Sequence, residues 1–227
     1  MKFAMGESAG TAHRVPMPRS EVRAPLGLRR DGSRFPMQLT VSDVGDSGRV
    51  RFIGVVRDLT PDHERAELQH RAAHDALTAL PNRAYALEEL RCRCERSTRG
   101  AAVFAIAYLD LDHFKPINDN FGHQVGDDVL KVVARRLRNA LGEQDFVARL
   151  GGDEFLLVVD GIDDRPRALR VVERARAATT QPIAVDGHSL RVGITAGIAI
   201  WGVDGKEPEA LLQLADREMY RAKNGRR

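Results

Sequence analysis

Cysteine is nearly absent: Cys92 and Cys94 are the only two in 227 residues. They allow no disulfide framework beyond one bridge. At i,i+2 on a helical stretch they face apart, so they read as reduced thiols. Aromatic residues are scarce at 5%, with a single Trp. Long apolar runs are missing, since none approaches the roughly 18–20 residues that span a bilayer. Residues 1–10 lack the apolar stretch of a secretory signal. These absences exclude a membrane span and a disulfide-stapled secreted scaffold, and the expected location is cytoplasmic. A dominant charge of one sign is lacking too. The net charge is only +3, although the isoelectric point is near 9.1. Residues 1–60 hold ten Lys/Arg against six Asp/Glu, and residues 61–227 hold 25 against 26. The basic surplus therefore sits in the first quarter. The remainder shows no interleaving of aromatic and basic residues, which argues against a nucleic-acid partner. Lysine is rare, at positions 2, 115, 131, 206 and 223 alone.

What is present is a globular composition, 43% hydrophobic and 30% charged. It suffices for one good core with a smaller appendage. Residues 1–25, with Pro16, Pro18 and Pro25, read as a flexible tail. Phe35, Met37, Leu39 and Val41 alternate with polar residues as in a half-buried strand. Gly45-Asp-Ser-Gly48 is a turn, and Val50–Val56 returns as a second strand. Thr60-Pro61 opens a helix over 61–73, which reads equally as a solvated linker or a paired coiled coil. A helix opened by Pro81 is predicted over 81–98. Residues 101–109 form a near-continuous apolar run, as in a central strand. Val125, Val129, Val133 and Leu137 mark an amphipathic helix. Phe146–Leu150 and Phe155–Val159 read as strands around Gly151-Gly152, residues 166–179 as a helix, and Leu190–Ile200 as one further strand. Leu211, Leu214, Ala215, Met219 and Ala222 stripe a final helix. The order from residue 101 is the split βαβ pattern of a ferredoxin-like α/β (α+β) sandwich.

Three stretches carry chemistry. Asp110-Leu111-Asp112 ends the apolar strand, where a poor strand former marks a strand mouth. Carboxylates there can hold a hard cation, or Asp112 can simply cap the helical segment that follows. Arg149-Leu-Gly-Gly-Asp-Glu-Phe155 is read as a hairpin turning at Gly151-Gly152. Alone it is an ordinary hairpin with solvated acids. In the split βαβ topology its second strand lies antiparallel beside the first, which brings Asp153 and Glu154 next to Asp110. Such a cluster is costly without a cation, and it points to metal-dependent phosphoryl or nucleotidyl transfer. The third stretch, Phe114 to Asp127, offers Lys115 and backbone N–H groups for phosphates. Asn118 and Asp127 could read a base edge, and an Asp accepting from a ring N–H and an exocyclic amine suits guanine. The plainer alternative is a loop before a capped helix.

Taken in order, His74-Asp-Ala-Leu-Thr-Ala-Leu-Pro-Asn-Arg83, Asp110-Leu-Asp-His-Phe-Lys115, Asn118-Asp119, Phe121-Gly-His123, Gly126-Asp127, Arg149 to Phe155, and Ala215-Asp216 through Met219-Tyr220 to Ala222-Lys223 resemble the GGDEF family of diguanylate cyclases over residues 74–227. The resemblance implies condensation of two GTP into cyclic di-GMP with release of two pyrophosphates, across a homodimer. It implies Mg2+, with Mn2+ as a substitute, held by Asp110, the Leu111 carbonyl, Asp153 and Glu154. Asp153 or Glu154 would activate the 3′-hydroxyl. Phe114, Lys115, Asn118, Asp127, Lys223 and Arg227 would bind GTP, Asn118 and Asp127 at guanine, and Lys115, Lys223 and Arg227 at the phosphates. Asp75 is expected to pair with Arg83 structurally. The alternative is a regulatory module that binds GTP or cyclic di-GMP without turnover.

Two departures matter. Many members carry an inhibitory Arg-x-x-Asp five residues before the signature, where this chain has Gly142-Glu-Gln-Asp145. Product inhibition through that site is expected to be weak or absent. The family ending Lys-x-x-Gly-Arg reads Lys223-Asn-Gly225-Arg-Arg227 here, with an arginine still four after the lysine. Upstream, residues 26–60, with Arg30 to Pro36 and Gly54 to Thr60, resemble the last strands of a PAS sensor domain. A whole domain of that kind needs about 100 residues, so no bound ligand is expected there.

Overall fold

The computed structural model describes residues 26–43, 52–61, 72–100 and 103–225. The expected tail, the 45–48 turn, most of the 61–73 helix and Arg227 lie outside the described residues. The chain divides into two units, Met1–His70 and Arg71–Arg227.

In the first unit, β1 (Leu26–Leu28), β2 (Arg34–Asp43) and β3 (Phe52–Asp58) form an antiparallel sheet in that order. The expected hairpin is present, with Leu39 opposite Val56. Phe35 and Met37 are buried, while Leu26, Leu28, Ile53 and Val55 are exposed. Arg29 fastens the sheet by donating to Asp58 Oδ2 at 2.6 Å and Thr60 Oγ1 at 3.1 Å, and its guanidinium lies 4.4 Å over the Phe35 ring.

The second unit is a three-layer sandwich. Its sheet has the order β5-β6-β4-β9, from β4 (Phe104–Asp112), β5 (Phe146–Gly151), β6 (Glu154–Asp160) and β9 (Gly193–Ile200). Every pairing is antiparallel, so this is the expected split βαβ arrangement. Alternation along β4 makes two cores. Ala105, Ala107, Leu109 and Leu111 pack under α2 (Phe114–Phe121), α3 (His123–Ala140) and α4 (Arg165–Thr179). Phe104, Ile106 and Tyr108 pack under α1 (Arg83–Thr98) and α5 (Pro208–Asn224).

Four local expectations change. Helix α1 starts at Arg83, not Pro81, because the Asn82 side chain accepts the Tyr85 N–H at 3.0 Å and so acts as the cap. The short helical segment expected after Asp112 is present as two turns, but its N-cap is His113, with φ 60°, and not Asp112; Gly122, with φ 85°, joins it to α3. The single strand expected over Leu190–Ile200 is interrupted at Arg191-Val192. Its first residue belongs to β8 (His188–Leu190), which pairs with β7 (Ile183–Val185) in a separate hairpin. Finally, Gly151 pairs with Glu154, so the tight turn is Gly152-Asp153, not Gly151-Gly152.

Candidate active site

The turn position puts Asp153 at the hairpin tip and Glu154 first on the returning strand. Gly152 has φ 49°, a conformation that glycine adopts without strain. Arg149 holds the turn down. Its Nε and Nη2 donate to the Gly152 carbonyl at 3.0 and 2.8 Å, and its Nη1 donates to Asp75 Oδ1 at 2.9 Å. Asp75 therefore pairs with Arg149, and the expected Asp75–Arg83 pair does not form. The reason is topological: the hairpin folds back onto the 74–82 turn, where the Arg149 N–H also donates to the Pro81 carbonyl at 2.9 Å. Burial opposes ionisation of Asp75, but hydrogen bonds from Thr78 and Arg149 outweigh it and hold the carboxyl below its usual range.

Across the sheet, Asp110 lies opposite Glu154. The Leu111 N–H donates to the Asp153 carbonyl at 3.2 Å, which ties the strand mouth to the turn. Asp110 is 8% exposed. Burial raises its carboxyl above the ordinary value, the Lys223 hydrogen bond opposes this, and the charges of Asp153 and Glu154 raise it further. Lys223, in the last turn of α5, places its ammonium on Asp110 Oδ1. Helix α5 reaches this position because β9 carries Gly197, where a Cβ would collide with the Ala215 carbonyl and the Met219 N–H. Asp112 accepts the Thr195 hydroxyl at 2.6 Å. The Asp153 carboxylate makes no hydrogen bond or ion pair with the described residues.

Among the described residues, no three His, Cys, Asp or Glu side chains form a preformed metal cage. A small hard cation does not need one, since Mg2+ is commonly held by one or two carboxylates plus substrate phosphates. The donors here, the carboxylates of Asp110, Asp153 and Glu154 and the Leu111 carbonyl, are all oxygen. The buried Asp110 carboxylate already draws a cation, the Lys223 ammonium. The residues fit the group.

A second group sits at the α2–α3 junction. A Cβ on Gly126 would overlap Asn118 Oδ1, so glycine lets the Asn118 amide lie against the first turn of α3, at the residue that precedes Asp127 in the chain. Phe114 is 7% exposed and belongs to the core, so only its backbone could meet a ligand. Lys115 is exposed in the first turn of α2. Arg227 lies outside the described residues.

One side chain at the mouth escaped the sequence reading. Tyr108 donates its hydroxyl to Glu154 Oε2 at 2.9 Å. Burial first, and then this bond, hold the phenol above its usual value, so it remains a donor. Only its place two residues before Asp110, on the same face of β4, could have singled it out.

A sheet of order β5-β6-β4-β9 whose two inner strands end in opposed acids defines a nucleotidyl-cyclase-type sandwich. The family model described as diguanylate cyclase, GGDEF domain, matches residues 72–227, and the chain belongs to that family. It is 41% identical over 161 residues to diguanylate cyclase TpbB of Pseudomonas aeruginosa, covering 70% of this chain and 37% of that protein. The chain thus spans little more than a third of that relative. Among solved structures, a sensory box/GGDEF family protein from Caulobacter crescentus is 38% identical, with a TM-score of 0.64 over 67% of this chain and 99% of that one. The coiled coil and GGDEF domain of DgcB from the same organism, in complex with c-di-GMP, is 25% identical, with a TM-score of 0.67 over 73% of this chain and 87% of that one.

Proposed function

We propose that the chain condenses two GTP into cyclic di-GMP, with release of two pyrophosphates, using Mg2+ and a homodimer. The observation that carries this is the registration of Asp110 against Glu154, with Asp153 at the adjoining turn and Lys223 beside them. Asp110, Asp153, Glu154 and the Leu111 carbonyl would hold the cation, which neutralises charge on the phosphates when bound. Asn118 and Asp127 orient guanine, and Lys115, Lys223 and Arg227 hold the phosphate tail. A carboxylate oxygen of Asp153 or Glu154 takes the proton of the 3′-hydroxyl. That hydroxyl attacks the α-phosphorus of the other GTP, and pyrophosphate leaves.

One domain holds one GTP and cannot close the ring alone, so two domains face each other and dimerisation becomes part of catalysis. Incubation with GTP and Mg2+ should yield cyclic di-GMP. GTP binding without pyrophosphate release, in a sample shown to be dimeric, would make the chain a binding module instead.

A further inference from the structure

Tyr108 is buried at 7% exposure in the core beneath α1 and α5. It lies opposite Leu156, and Asp110 lies opposite Glu154. Tyr108 and Glu154 are therefore diagonal neighbours on one face of an antiparallel pair, a spacing that aromatic and long side chains can bridge. A buried phenol needs an acceptor, and at this point of the face the acceptor is the Glu154 carboxylate. A hydroxyl donating to a carboxylate at 2.9 Å is a charge-assisted contact, which removes rotamer freedom from a glutamate that would otherwise swing at the strand mouth.

We infer that Tyr108 is a positioning residue for Glu154: it fixes Oε2 against the core and leaves Oε1 as the oxygen offered to the cation beside Asp110. The role rests on the proposed cyclase reading and concerns a side chain that touches neither substrate nor cation. Partners of this kind, one shell behind the ligands, typically change metal affinity about 10–100-fold when removed.

The test is Tyr108→Phe, which deletes one oxygen and keeps the ring. Mn2+ is titrated into the full chain loaded with a GTP analogue whose α,β-bridging oxygen is replaced by methylene. The expected result is about a tenfold loss of Mn2+ affinity, with metal-free affinity for the analogue unchanged. Mn2+ affinity within twofold of the parent would overturn the assignment. Carbon-13 NMR of the Glu154 carboxyl separates this from the functional reading. If the parent chain binds no analogue, the cyclase proposal fails. A carboxyl resonance that moves in Tyr108→Phe still supports the positioning role, and one that stays fixed refutes it. Should Tyr108→Phe be poorly folded, the converse variant Glu154→Gln is read at the carbon-13 resonance of the phenolic carbon of Tyr108. A shift supports the contact and none overturns it.

Discussion

The β5–β6 hairpin carries acids at both ends and treats them in opposite ways. At its base, Asp145 accepts the Gly142 N–H at 2.9 Å with one oxygen and the Asp160 N–H at 3.3 Å with the other. Asp160 is paired with Arg93, which also donates to Glu89 at 2.8 Å and to the Gln144 carbonyl at 3.2 Å. At the tip, Asp153 has no such partner among the described residues, and Asp110 is buried with its carboxyl raised. The base acids spend their oxygens on backbone amides and an arginine, whereas at the tip Lys223 meets Asp110 and Tyr108 meets Glu154, and the Asp153 carboxylate has no partner among the described residues. A cavity of about 670 Å3 adjoins the base, beside Gly142, Asp145 and Arg174. There the arginine of the family's inhibitory pattern is replaced by Gly142.

The largest effect should come from substitution at the tip. Asp153→Ala should lower cyclic di-GMP formation by about 10^3-fold or more, while Tm moves by no more than about 2 °C, because no bond is lost. The base should behave in reverse. Arg93→Ala removes one partner of a buried ionic cluster and should cost about 3 kcal/mol, lowering Tm in a thermal melt by roughly 10 °C. Turnover per folded chain at 25 °C should stay within about twofold of the parent. A variant that melted normally but lost activity would erase the distinction.

The strand mouth and the acidic tip were legible in the sequence, because the strand and helix periods are strong where burial is complete, whereas the network at the hairpin base was not. The run ending at Asp110 and the stripe from Val125 to Leu137 both became core. The topology that follows from them placed Glu154 beside Asp110. What was not legible depends on contacts far apart in the chain. Nothing local in Asp75 or Arg83 shows that Arg149 will claim Asp75, and nothing around Tyr108 shows a glutamate waiting diagonally across the sheet. The β7–β8 hairpin is a different failure. Its strands are three residues each, too short for a period. Yet Asp186-Gly187, with φ 48° and 76°, is the Asp-Gly turn that could have revealed it.

Asp145→Ala should lose about 1 kcal/mol of stability, for two acceptors withdrawn from backbone amides. Added cyclic di-GMP at low micromolar levels should inhibit neither parent nor variant. Inhibition that Asp145→Ala relieved would show a working product site despite Gly142. The smallest effect concerns Asp110. Its folded-state carboxyl is raised above the unfolded value of 3.8, by burial first. The folded state therefore binds the proton more tightly, and that stability is fully present below pH 3.8 and lost as pH rises through the folded value. Asp110→Asn should remove this loss, so its Tm relative to the parent should rise across that window and stay level at neutral pH.

An acidic tip that forms one half of a two-domain GTP condensation site is tested by pyrophosphate release and product identity, measured with GTP and Mg2+ across a range of protein concentrations. The product should be cyclic di-GMP, with a rate per chain that climbs with concentration and levels off once the chain is dimeric. A dimeric sample that releases no pyrophosphate would contradict it.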